Sequence, residues 1–157
     1  MSGRIHAFLA GTGRDGAGRR LADVLAFDDI RIEGVHDFIQ WCFPLREASR
    51  AVPGAPVLTA AEAEAIRIDP AAREGLVASR DRMRRFYAET DFWLCPHDHN
   101  HLRITRILTA LRDLLGDGSA EAFHAFVTAR NAAAGGPINP GSLHFWARAL
   151  GRDGGTG

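Results

Sequence analysis

The chain has no lysine: all 19 of its basic residues are arginine, and they balance 19 aspartates and glutamates to a formal charge of zero. Without a surplus of positive charge there is no electrostatic footprint of a nucleic-acid or anionic-membrane binder, since both depend on a positive field. Exclusive use of arginine fits either a GC-rich genome, in keeping with the abundant alanine and glycine, or a preference for bidentate anion contacts. Cysteine is scarce too, and Cys42 and Cys95 are too few for a secreted disulfide framework. No apolar run approaches the roughly 20 residues of a membrane span. The apolar stretch 7–10 is too short for the core of a signal peptide, so a cytoplasmic location is the expectation. Long alternating or β-branched runs, the marks of a sheet, are also missing.

What remains is ordinary globular composition, 46% apolar and 24% charged over 157 residues. A chain of this length buries roughly 68–70% of its unfolded surface and needs no staple or structural metal. One domain is expected, with a core over about 5–150 and a flexible tail at 151–157.

Helical periodicity recurs along it. Residues 5–9 could form a short helix or a strand, a glycine-rich loop spans 11–18, and 20–27 reads as a short helix. Asp28 and Asp29 can cap a helix whose apolar positions Ile32, Val35, Phe38, Ile39 and Cys42 keep i, i+3, i+4 spacing until Pro44 stops it. Residues 46–58, with Pro53, Gly54 and Pro56, read as an extended loop. Thr59 and Glu62 have the spacing of a capping box. Asp69-Pro70 can start a longer helix with Leu76, Met83, Phe86 and Tyr87 on its buried stripe. Arg80, Arg82, Arg84 and Arg85 fall mostly off that stripe, as a solvated face or an anion site. After a break around Pro96, an amphipathic helix carries Leu102, Ile104, Ile107, Leu108, Leu111, Leu114 and Leu115, closed by Gly116. Ser119 and Ser142 can cap two further helices. The prediction is an all-α, single-domain bundle of about six helices with irregular loops.

Three constellations could carry chemistry. Gly11-Thr12-Gly13-Arg14-Asp15-Gly16 matches the dinucleotide fingerprint by letter, but no strand or βαβ unit surrounds it, which argues against a nucleotide. The run Cys95-Pro96-His97-Asp98-His99-Asn100-His101 is rich in metal-capable groups. His97, His99 and His101 sit two apart rather than at helical three-or-four spacing, so a metal site competes with a polar loop that caps the next helix. Glu33, His36, Asp37 and Gln40 would share one side of a continuous helix, where a histidine with a carboxylate one turn away could act as an oriented base, with His36 and Asp37 as the catalytic candidates, or where the set simply faces solvent.

Residues 36–47, HDFIQWCFPLRE, are more specific than any spacing. Together with HNHLRITRIL at 99–108, APVLT at 55–59 and the Phe86-Tyr87 pair, they resemble the signatures of the opioid growth factor receptor family. Leu25-Ala26-Phe27-Asp28-Asp29 is similar to its bacterial members. The resemblance covers about residues 5–150. It implies a domain akin to one that, in animals, belongs to a receptor for an enkephalin-type peptide associated with the nucleus. That activity does not transfer to a short member on resemblance alone. His36, Gln40, Trp41, His99, Asn100, Arg103 and Arg106 fall on signature positions, whereas Cys95 and His97 do not.

The leading expectation is a helical binding module with a pocket between the two signature helices, in which these seven residues receive a small anionic or amide-bearing ligand or a peptide, with no nucleic-acid partner. Guanidinium groups near a helix start suit a carboxylate or phosphate, although Arg103 and Arg106 could equally satisfy backbone carbonyls between helices. No cofactor is required by the sequence. A rival reading is a metal- or haem-assisted enzyme using His36 with His99 or His101. Another is a homo-oligomeric scaffold, which an exposed Trp93 or Trp146 would favour.

Overall fold

A computed structural model describes residues 3–49 and 52–152. Among the described residues there are nine helical segments and no strand: α1 Arg4–Leu9, α2 Leu21–Leu25, α3 Asp29–Gly34, α4 Ile39–Cys42, α5 Ala60–Ile68, α6 Pro70–Glu89, α7 His99–Leu114, α8 Asp117–Ala133 and α9 Pro140–Ala149. The all-α expectation therefore holds, and 5–9 is helix rather than strand. The chain divides into two compact units, Met1–Met83 and Arg84–Gly157, with the division falling inside α6. Of the predicted tail, residues 153–157 lie outside the described residues.

In the first unit α1 packs on α4 and α5 through Ile5, Phe8 and Leu9. Its first turn is held by two acids from elsewhere in the unit. The Glu62 carboxylate accepts from the His6 amide at 2.9 Å, and the His6 ring meets Asp69 at 2.7 Å. The capping box expected in α5 is thus half closed: the Glu62 amide donates to Thr59 Oγ1 at 3.1 Å, but the Glu62 carboxylate reaches across to α1. Asp69 also accepts from the Ala71 amide at 3.0 Å and so starts α6. The His6 ring, and then that amide, hold the Asp69 carboxyl below its ordinary range. Gly75 lies where α6 meets the end of α1; a Cβ there would collide with the Leu9 carbonyl.

The helix predicted over 28–42 is two pieces. Asp28 caps α3 as expected, accepting from the Arg31 amide at 2.8 Å. α3 ends at Gly34, and Val35 turns to extended backbone at φ −93°, ψ 124°. Glycine weakens a helix and a β-branched residue favours an extended backbone. Packing supplies the rest of the reason: Phe38 to Pro44 are all buried. A continuous amphipathic helix would leave part of that run in water, whereas a single turn followed by Pro44 can bury every member.

Arg82 departs from the solvated face expected for it. It is 7% exposed and donates through Nη2 to the Phe27 carbonyl at 2.8 Å and to Asp29 at 2.9 Å, tying α6 to the start of α3.

In the second unit α7 packs on both α8 and α9. Ile104, Ile107, Leu108, Leu111 and Leu114 are buried as predicted, but Leu102 is 68% exposed, because it sits in the first turn on the opposite face. Gly116 follows α7 at φ 104°, a conformation that suits glycine. The same residue is the N-cap of α8, which starts at Asp117 rather than after Ser119. Asn139, not Ser142, caps α9: its side chain accepts from the Ser142 amide at 2.8 Å, and Pro140 takes the first turn. Arg130 donates to the Thr90 and Tyr87 carbonyls and closes the end of α6. Trp93 and Trp146 are both fully buried, so neither supplies the exposed aromatic patch on which the scaffold reading leaned.

Candidate functional site

The one-turn α4 and Pro44 set Trp41 at a corner of the first unit. Phe8 meets its ring edge-on at 5.7 Å, and the Arg4 guanidinium lies over the indole at 5.3 Å from the ring centre. Beside them is a cavity of about 250 Å³ lined by Arg4, Asp37 and Trp41, by Gly16 and Ala17 of the glycine-rich loop, and by the 52–56 segment with Pro53 and Pro56. Among the described residues the indole N–H of Trp41 has no acceptor, whereas those of Trp93 and Trp146 donate to the Thr90 and His101 carbonyls.

The glycine-rich loop is built around Asp15. Its buried carboxylate accepts from the Ala17 and Arg19 amides at 2.9 Å each and from Arg19 Nε at 2.7 Å. Arg19 in turn donates through Nη2 to Asp37 Oδ1 at 2.7 Å. Burial works against the charge on Arg19, but hydrogen bonds to Asp37 and Asp15 prevail and raise its pKa. Two acids around one guanidinium thus fix the loop and the Asp37 carboxylate together. Since α1 rather than a strand precedes this loop, the dinucleotide fingerprint is a letter match only.

The residues singled out in the sequence have unequal fates. Trp41 and Asp37 line the cavity. The described partner of Asp37 is Arg19. His36 is exposed, and its carbonyl accepts from Gln40 Nε2 at 3.0 Å. Gln40 is 4% exposed, and its buried Oε1 has no partner among the described residues.

The remaining members belong to the second unit. Asp98 caps α7, accepting from the amide and the side chain of Asn100, while Tyr87 donates to Asn100 Oδ1 at 3.0 Å. The Asn100 side chain is thereby engaged on both ends, in full burial. His101 is fixed as well: its Nε2 faces the Trp93 carbonyl at 2.8 Å, and Ser142 Oγ lies 3.4 Å from Nδ1. The Trp93 carbonyl can only accept, so Nε2 is the donor of that bond. His97 contacts Asn139, and the exposed His99 lies 3.9 Å from Asp98. Among the described residues no three His, Cys, Asp or Glu converge as a metal would need. Arg103 is buried, and burial pushes the Arg106 guanidinium down to about 10, which still leaves it charged at neutral pH.

Sequence reasoning missed Arg4 and Ala17 as part of a site, and it singled out Gly16 only within the dinucleotide fingerprint. Nothing in local spacing marks Arg4; only the fold of α1 onto α4 brings it over Trp41. The segment at 52–56 did carry a signal, in Ala55-Pro56, but as a signature rather than as a wall.

The model of the opioid growth factor receptor conserved region matches residues 24–91. The rat opioid growth factor receptor is 37% identical over 101 residues, covering 53% of this chain and 17% of the receptor. The mouse opioid growth factor receptor gives the same 37% over 101 residues, covering 53% of this chain and 16% of its own length. The chain therefore spans about a sixth of the length of these relatives. No solved structure matches it significantly. Over residues 24–91, with the tryptophan corner inside them, the chain is similar to the conserved region of the opioid growth factor receptor family.

Proposed function

We propose that this chain is a helical binding module and that its receiving site is the tryptophan-corner cavity of the first unit. The ligand is a small molecule, or one or two residues of a peptide, with an apolar body and a carboxylate or amide. The observation that carries this reading is the Arg4–Trp41 pair at the cavity wall. The only described contact of Arg4 is the indole face, so its guanidinium donors can meet an anion. Trp41, Val52, Pro53, Ala55 and Pro56 supply an apolar surface. Pockets for drug-sized ligands run to about 300–1,000 Å³, and a site a little smaller suits a metabolite or the end of a peptide.

Further support comes from where the family match lies: residues 24–91 include Asp37, Trp41 and all of 52–56. The relatives are named receptors, and a ligand pocket inside the shared region is what a receptor requires. In this reading Gln40 steadies the corner from behind through its bond to the His36 carbonyl. Asn100, His101, Arg103 and Arg106 belong to the frame of the second unit rather than to the ligand contacts.

Calorimetric titration of the protein with a panel of short peptides and apolar carboxylates tests the assignment. Binding is expected from members with a free carboxylate, weakened about tenfold or more by Arg4→Gln, as loss of a hydrogen bond to a charged group predicts. A panel that shows no binding at millimolar concentration, or binding indifferent to Arg4→Gln, would overturn it.

A further inference from the structure

The cavity carries two opposite charges, and only one of them is used by a ligand that is merely an acid. Arg4 and Asp37 both line it, with the Trp41 indole and the proline-bearing segment completing the wall. Asp37 is bound by Arg19 through Oδ1 alone; Oδ2 has no described partner, and the side chain is 54% exposed. The Asp15–Arg19 pair holds that carboxylate in place from behind, so its position does not depend on a ligand being present. A preorganised anion and an available cation on one small cavity, with an aromatic surface between apolar walls, match a molecule that bears both charges close together on an apolar body.

We infer that the ligand of this cavity is a zwitterion of amino-acid size, an α-amino acid or a close analogue with an apolar side group. Its carboxylate meets Arg4, its ammonium meets Asp37 Oδ2, and its side group lies against Trp41, Pro53 and Pro56. The inference rests on the pocket assignment made above and sharpens it. Two charge contacts explain the opposite signs better than one. A simple carboxylate would leave Asp37 facing its own negative charge, and a simple amine would leave Arg4 unused beside a second cation. An interior peptide segment carries neither charge and would satisfy neither group. The Trp41 indole N–H, which has no acceptor among the described residues, is a third donor on a residue that lines the cavity.

The test uses L-leucine and L-phenylalanine, each in three forms: free, N-acetylated, and as the carboxamide. Titrations are followed by calorimetry on the intact chain, the Arg4→Gln variant and the Asp37→Asn variant, with unchanged circular dichroism confirming that each variant is folded. The free amino acids are expected to bind at least tenfold tighter than either capped form. Arg4→Gln should erase the preference for the acid over the carboxamide while keeping the preference for the free amine. Asp37→Asn should do the converse. Equal binding of free and N-acetylated forms, still weakened by Arg4→Gln, overturns the zwitterion and leaves the pocket standing. Absence of binding by every form, together with silence from the peptide panel, overturns both.

Discussion

At the residue scale, a few side chains decide more than their neighbours. Gly75 is one, because α6 passes the end of α1 so closely that a single methyl group meets the Leu9 carbonyl. In an open helix Gly→Ala stabilises by about 1 kcal/mol. Here overpacking of about 1–3 kcal/mol opposes and outweighs that gain. Gly75→Ala is therefore expected to lower the denaturation midpoint without changing the slope; a raised midpoint would show that α1 and α6 are further apart than described. Arg82 is another such residue, and it shows where letter-by-letter reading fails. Four arginines on α6 look like a charged face, yet the one that meets the Phe27 carbonyl and Asp29 is drawn inside. Its partners lie more than 50 positions away in sequence, so helical periodicity alone has no access to them.

At the scale of elements, the sequence was most legible where one segment determines its own ends. The cap at Asp28, the glycine at 116 and the apolar stripe of α7 all follow from local chemistry and appear where expected. It was least legible where two segments share a group. Glu62 stands at the right spacing to close a box on Thr59, but its carboxylate serves the first turn of α1. A prediction follows for these elements. Glu62→Ala should speed hydrogen exchange at the His6 amide while the amides of α5 stay protected, as amide-resolved exchange would read out. Exchange rising at the Thr59 amide instead would mean that the box closes within α5. Thr59→Ala, which removes the acceptor for the Glu62 amide, should separately cost about 1 kcal/mol, as loss of a cap does. The break between α3 and α4 belongs to the same class of miss. Periodicity through Ile32, Val35, Ile39 and Cys42 reads as one helix, but burial of everything from Phe38 to Pro44 requires a turn that no amphipathic helix can make.

At the scale of the whole molecule, the chain is two helical units, and its two signature segments fall in different ones, 36–47 in the first and 99–108 in the second. Of the seven signature residues read as a ligand set, Trp41 lines the first unit's cavity, and Asn100 is enclosed by Tyr87 and Asp98 in the second. A signature position can hold a ligand contact or part of the frame, and Asn100, a buried amide that joins a tyrosine to a helix cap, has contacts of the second kind. That is why letters alone could not separate the two roles. The family region, residues 24–91, holds most of the cavity wall, while Arg4 comes from outside it and is placed only by the fold.

The cavity claim can be tested at one atom. The chain has three tryptophans, and two of their indole N–H groups are engaged by backbone carbonyls in the second unit. In a nitrogen-15 labelled sample, titration with the free amino acids and apolar carboxylates should move the Trp41 indole resonance and leave those of Trp93 and Trp146 in place. In Arg4→Gln the same movement should require about tenfold more ligand. A ligand that binds while the Trp41 resonance stays still would contradict the account, because the molecule would then be received somewhere other than the tryptophan corner.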